Sequence, residues 1–232
     1  MPSWTCASSS DRARPALAAR VDAALRHRTA KPGLFALALV PFALLLHGAV
    51  TNTLGANPAE ALIRGTGDWT LRFLCLALAV TPLRQAAGLP SLARFRRMLG
   101  LFTFFYAALH WLAYAWLDMG FVAADIVRDV GKRPFILVGT AALLLMLPLA
   151  ATSFDRAIRA LGARRWQRLH RAVYAVAGLA LLHFLWMRAG KNDVAEVGVY
   201  AAIVAVLLGW RLVRALVVRA RQRSAPGFVP VR

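Results

Sequence analysis

The chain has 232 residues, of which 59% are apolar and only 17% charged, with a mean hydropathy of +0.57; soluble domains carry roughly 25% charged residues. The charges are lopsided, 29 Lys+Arg against 10 Asp+Glu, for a net charge of +19. Basicity alone would suit a nucleic-acid binder, but such a protein would not also be this apolar, whereas a polytopic membrane bundle satisfies both properties.

In chain order, residues 1–31 form a polar, Arg-rich tail without the apolar centre of a cleavable signal peptide. Leu17, Val21 and Leu25 fall four apart, so the tail is either partly a short amphipathic helix on the bilayer or a solvated basic segment. A spanning helix needs about 20 mostly apolar residues. Residues 32–218 supply six such candidates, at 34–50, 69–83, 98–117, 134–154, 168–188 and 194–213. The second is the weakest, with Arg72 inside it and Pro82 near its end, though an arginine near a terminus can snorkel. Residues 219–232 form a second basic tail. The expected fold is therefore all-α: six transmembrane helices joined by connections too short to hold a catalytic domain.

Charge sets the expected orientation. An even number of spans places both termini on one side. That side collects 22 of the 29 cations and, among the acids, only Asp11, Asp22 and Asp155. By the positive-inside rule both termini are cytoplasmic, and the whole net charge lies on the cytoplasmic face.

Ionisable residues inside spans are functional candidates by default. His110 on the third span and His183 on the fifth lie about 10 Å and about 7 Å from the outer ends of their helices at 1.5 Å per residue. Two neutral imidazoles at matching depth are what an axially bis-ligated b-type haem requires; the alternative is that each bonds a neighbouring helix. With both axial positions filled, such a haem moves electrons and leaves no site for substrate. His170 lies thirteen residues before His183, a rise of about 20 Å, which suits a second haem or a cytoplasmic loading point. An ideal helix sets the two rings roughly 140° apart, and the residue thirteen before His110 is Arg97. His47, in the outer part of the first span, could replace or supplement an outer ligand, but reads first as a packing histidine. Arg72, Arg188 and Lys191 are candidates to neutralise haem propionates, or else ordinary snorkelling cations.

The two cysteines, Cys6 and Cys75, provide no disulfide framework and no paired ligand spacing. Gly65-Thr66-Gly67 lacks the third glycine and the βαβ setting of a dinucleotide fingerprint. No catalytic residue is assigned. Electrons would come from a cytoplasmic donor or a membrane quinol and leave to a separate acceptor outside. Rival functions are a quinol-linked cytochrome b subunit of another redox complex and a transporter with a histidine proton relay.

Several short blocks together carry a resemblance: Leu54-Gly-Ala-Asn-Pro58, Thr81-Pro-Leu-Arg84, Arg97-Met-Leu-Gly-Leu101 leading to Leu109-His110, Arg133-Pro134, Ala151-Thr-Ser153, Trp166-Gln-Arg-Leu-His170-Arg-Ala-Val-Tyr174 and His183-Phe-Leu-Trp186. In this order, with 60 and 13 residues between the three histidines, the chain resembles the haem-binding membrane subunits of bacterial periplasmic methionine sulfoxide reductase systems. These form the MsrQ/YedZ family of the ferric-reductase-like transmembrane group. The resemblance implies a multi-pass cytochrome b of the bacterial inner membrane with His110, His170 and His183 as haem ligands and FMN associated. It also implies electron delivery, from the quinone pool or a cytosolic flavin reductase, to a periplasmic molybdopterin-containing catalytic subunit that repairs oxidised methionine. No residue pattern marks the flavin site.

Overall fold

In the computed structural model, which describes residues 16–189 and 194–223, every regular element among the described residues is helical. In chain order these are α1 (Ala16–Arg26), α2 (Ala30–Val50), α3 (Pro58–Ala86), α4 (Arg96–Ala113), α5 (Ala123–Lys132), α6 (Pro134–Ala151), α7 (Asp155–Leu161), α8 (Ala163–His170), α9 (Val173–Ala189) and α10 (Ala195–Arg223). A 3₁₀ segment, Pro90–Phe95, leads into α4, and a π-helical turn, Tyr114–Asp118, ends it.

Local chemistry explains the boundaries. Pro58 and Pro134 open α3 and α6, where the missing N–H costs nothing. The Asn57 side chain caps α3 by accepting from the Glu60 N–H at 3.1 Å. Gly120 closes the α4 region and Gly162 separates α7 from α8, both in the left-handed region with φ of 56° and 74°.

The centre of the bundle is α3. One face stacks Phe73 on Tyr106 of α4, with ring centroids 5.2 Å apart and planes at 13°. The other face carries Leu71, Leu74 and Leu78 against Ala177 and Phe184 of α9 and Val197 and Val204 of α10. On α2, Pro41 cannot donate to the helical ladder. Beside it the Tyr106 hydroxyl bridges the backbone, accepting from the Phe42 N–H at 3.0 Å and donating to the Ala38 carbonyl at 2.8 Å. The outer surfaces of the long helices remain apolar and exposed, as with Leu44, Leu144 and Val206, the arrangement of a surface solvated by lipid.

Five helical stretches are long and apolar enough to cross a membrane: Ala30–Val50, Pro90–Asp118, Pro134–Ala151, Ala163–Ala189 and Ala195–Gln222. The expected second span lies within α3, which is not among the five; it carries Glu60, Arg64, Asp68, Arg72 and Arg84 along its length. Most of its apolar residues, from Leu71 to Val80, are buried against protein, while Leu76 and Leu83 are exposed.

Three sequence expectations change in detail. The fifth span is not one helix, because the chain turns at Arg171 and Ala172 between α8 and α9, so the 140° separation derived for an ideal helix does not apply. His47 is exposed on α2 and does not pack within the bundle; its position on a helix whose outer face lacks protein neighbours explains the difference. Residues 16–26 are helical, with Leu25 packed on the core and Leu17 73% exposed. Residues 1–15 lie outside the described residues.

Candidate functional site

His110 near the end of α4 and His183 on α9 face one another, with ring centroids 6.0 Å apart and planes at 76°. Each ring is held by a backbone carbonyl from a third helix. His110 Nδ1 lies 2.8 Å from the Ile63 oxygen of α3, and His183 Nδ1 lies 2.6 Å from the Phe135 oxygen of α6. A carbonyl only accepts, so Nδ1 carries the hydrogen in both rings and Nε2 keeps its lone pair. That is the tautomer a metal-binding imidazole needs, with its other nitrogen oriented by an acceptor. Two metal–nitrogen bonds of about 2 Å in line, plus roughly 1 Å from each nitrogen to its ring centre, require about 6 Å between centroids. The observed 6.0 Å matches that separation, so the two rings could hold one metal between them.

Both rings line a cavity of about 550 Å³ between α3, α4, α6 and α9. Its inner wall is apolar, with Leu71, Leu74, Leu143 and Met146, as a flat apolar macrocycle would require. Its polar lining carries Arg64, Arg133 and Arg188 together with Glu60, Asp68 and Asp118. These cations are anchored by carboxylates: Arg64 on Glu60 at 2.5 Å, Arg133 on Asp129 at 2.9 Å and Arg188 on Glu196 at 2.8 Å. Asp129 also accepts from the Tyr114 hydroxyl at 2.8 Å.

A second cavity, about 320 Å³, lies towards the opposite end and is lined by His170, Trp166, Arg96, Arg97 and Ser153. His170 stacks on Trp166 with centroids 3.8 Å apart and planes at 26°. Its Nδ1 lies 3.1 Å from the Trp166 carbonyl, while Nε2 is buried without a hydrogen-bond partner. Buried polar atoms without a partner are uncommon, which makes His170 Nε2 a candidate ligand position in this second cavity.

The family described as "Ferric reductase like transmembrane component" matches residues 32–181. The "Protein-methionine-sulfoxide reductase heme-binding subunit MsrQ" of Polaromonas naphthalenivorans is 65% identical over 188 residues, covering 81% of this chain and 86% of that protein. The chain belongs to the MsrQ family. MsrQ of Ralstonia nicotianae is 54% identical, with 80% of this chain and 85% of the relative covered. MsrQ of Xanthomonas campestris is 44% identical, with 87% and 95% covered. No solved structure matches the chain.

In this MsrQ-family chain, the structure brings His110 and His183 together and places His170 apart from them, in the second cavity. Of the cations expected near propionates, Arg188 lines the first cavity. Arg72 instead bonds the Tyr200 hydroxyl at 3.4 Å and lies over the Trp69 ring. Lys191 falls outside the described residues. Sequence reasoning assigned no role to Arg64 and Arg133 in the lining. The available signal was positional: Arg64 directly follows Ile63, whose carbonyl holds His110, and Arg133 immediately precedes the helix whose Phe135 carbonyl holds His183.

Proposed function

We propose that this chain carries electrons across the bacterial inner membrane through b-type haem held by His110 and His183, and delivers them to a periplasmic methionine sulfoxide reductase subunit. The observation that carries the reading is the facing pair of imidazoles, each with its Nδ1–H given to a helix carbonyl and its Nε2 lone pair left for iron. The relatives' printed name, a heme-binding subunit of a protein-methionine-sulfoxide reductase, supports both cofactor and partner.

When bound, a haem would supply reversible one-electron transfer, and His110 and His183 are the residues that would hold its iron. The protein's share is to fix the two imidazoles, exclude water with the apolar cavity wall, and offer Arg64, Arg133 and Arg188 of the polar lining to the propionates. Two electrons and two protons convert methionine sulfoxide to methionine and water at the partner, so none of that chemistry falls on this chain. In this reading His170, whose buried Nε2 has no hydrogen-bond partner, serves a second haem or a loading point for electrons on the cytoplasmic side. The proposal assigns FMN no residues.

The orientation belongs to the same reading. Taking α3 as a sixth span with the five apolar ones puts both termini in the cytoplasm, with 22 of the 29 cations on that side. His110 and His183 then face the periplasmic half, and His170 the cytoplasmic half. The test is the absorption spectrum of the full-length protein purified from a haem-replete host. Dithionite should produce a reduced low-spin cytochrome b spectrum. Haem-free protein with all three histidines intact would overturn the proposal.

A further inference from the structure

The two histidines are seated by the same local device, repeated on two helices. On α3, the carbonyl that holds His110 belongs to Ile63, and the residue four further on is Gly67. On α6, the carbonyl that holds His183 belongs to Phe135, and the residue four further on is Gly139. Residues i and i+4 share one face of a helix, so each imidazole lies over a carbonyl and an absent side chain at once. A Cβ added at Gly67 would stand 3.1 Å from both Cε1 and Nδ1 of His110. One added at Gly139 would stand 2.8 Å from Nδ1 and 2.9 Å from Cε1 of His183. Both contacts fall on the Nδ1–Cε1 side of the ring, at the very nitrogen that makes the hydrogen bond.

We propose that Ile63/Gly67 and Phe135/Gly139 are paired imidazole seats that position the two axial ligands and set the redox potential of the metal between them. The inference rests on the haem reading above and adds positioning residues to it. Helix carbonyls normally accept only from the N–H four residues on, and their second lone pair is available only where a donor can approach closely. Glycine permits that approach. The accepted Nδ1–H makes Nε2 a stronger donor to the metal, which favours the ferric state and lowers the potential. Neither glycine is needed for chain geometry, since both lie within regular helix with ordinary φ, where glycine costs roughly 0.5–1 kcal/mol relative to alanine. The absence of a side chain there is explained by the ring it admits.

The seats are unequal, and the inequality makes the test specific. At Gly139 a methyl group forces His183 to move, whereas at Gly67 His110 needs to give by only a few tenths of an ångström. In the full-length protein, Gly139→Ala should weaken haem retention about tenfold or more, the scale for disturbed outer-shell partners of a metal ligand. It should also raise the midpoint potential of the haem that remains; a tenfold loss of ferric preference corresponds to about 59 mV. Gly67→Ala should shift the same quantities in the same direction by less, and it keeps the test decisive should Gly139→Ala fail to accumulate. Gly178→Ala and Gly209→Ala, whose added methyl groups meet open space and which line neither cavity, should leave spectrum and potential unchanged.

Unchanged spectrum and potential in both Gly67→Ala and Gly139→Ala would overturn the seats. The haem reading would still stand if His110→Ala and His183→Ala abolish the low-spin signal. Retention of that signal in both histidine variants would overturn the haem reading itself, and the seats with it.

Discussion

His110 and His183 meet nearly at right angles, with their planes at 76° and ring centroids 6.0 Å apart. The angle follows from the two helices that hold them, because each ring must aim its Nδ1 at its own carbonyl, Ile63 on α3 or Phe135 on α6. If both rings held one haem iron at this angle, its dxz and dyz orbitals would be nearly degenerate. The ferric protein should therefore show a strongly anisotropic low-spin EPR signal. His110→Ala and His183→Ala should each abolish it, while His170→Ala should leave it in place. Survival of the signal in either of the first two variants would separate the facing pair from the haem.

Much of this was legible in the sequence, and the remainder was illegible for identifiable reasons. Histidines stand out against an apolar span, and matching depth is simple arithmetic on helical rise, so His110 and His183 could be paired in advance. Their carbonyl partners could not, because every residue has a carbonyl and only packing selects Ile63 and Phe135. The central helix was the hardest to draw. Protein neighbours cover most of its apolar residues, and α3 carries charges along its length where α2 has only Lys31 at its start. The turn at Arg171 and Ala172 has no proline or glycine to announce it, and with it the simple geometry expected between His170 and His183 was lost.

The three arginines in the lining of the larger cavity make a graded prediction. Each holds a carboxylate and lines the cavity, but Arg188 is the most enclosed, its side chain only 14% exposed. Charge-assisted bonds contribute about 1.5–3 kcal/mol when sheltered and less when solvated. Arg188→Gln should speed haem transfer to a scavenging apoprotein by roughly tenfold or more, on that energy scale. Arg133→Gln, 52% exposed at its side chain, should do so by less. Arg72→Gln is the contrast, because Arg72 is engaged with Tyr200 and Trp69 away from the cavity lining; its transfer rate should match that of the unmodified protein.

Tyr106 offers a test of the bundle independent of the cofactor. It is fully buried, and its hydroxyl satisfies the Phe42 N–H and the Ala38 carbonyl of α2 together. Tyr106→Phe keeps the stack on Phe73 and removes only the bridge. Leaving buried polar groups unmatched costs about 1–3 kcal/mol. Thermal unfolding in detergent should shift down accordingly, with the haem spectrum unchanged. An unshifted transition would mean that α2 closes its own ladder past Pro41 without the hydroxyl.

Asp22 governs how α1 meets the bundle, and its pH dependence can be derived. The carboxylate is 1% exposed and accepts from the Ser91 N–H at 2.9 Å and from Arg26, while Arg94 donates to the Leu25 and Arg26 carbonyls at 3.0 and 2.8 Å. The Arg26 guanidinium, followed by the Ser91 amide, lowers the carboxyl from its ordinary 3.8 to about 2. A depressed carboxylate contributes its stability in full above the unfolded value and loses it as pH falls through the folded one. Hydrogen-exchange protection over Ala16–Arg26, corrected for intrinsic rates, should therefore hold from neutrality to about pH 4 and fall between pH 4 and 2. Arg97 holds the Asp155 carboxyl below its usual range as well, so a global melting curve would mix the two groups, and the probe must be local to α1. Asp22→Asn should reduce the protection at neutral pH and remove the acid transition from this segment, so that the two proteins coincide below about pH 2. A transition of undiminished size in Asp22→Asn would assign the docking of α1 to another group.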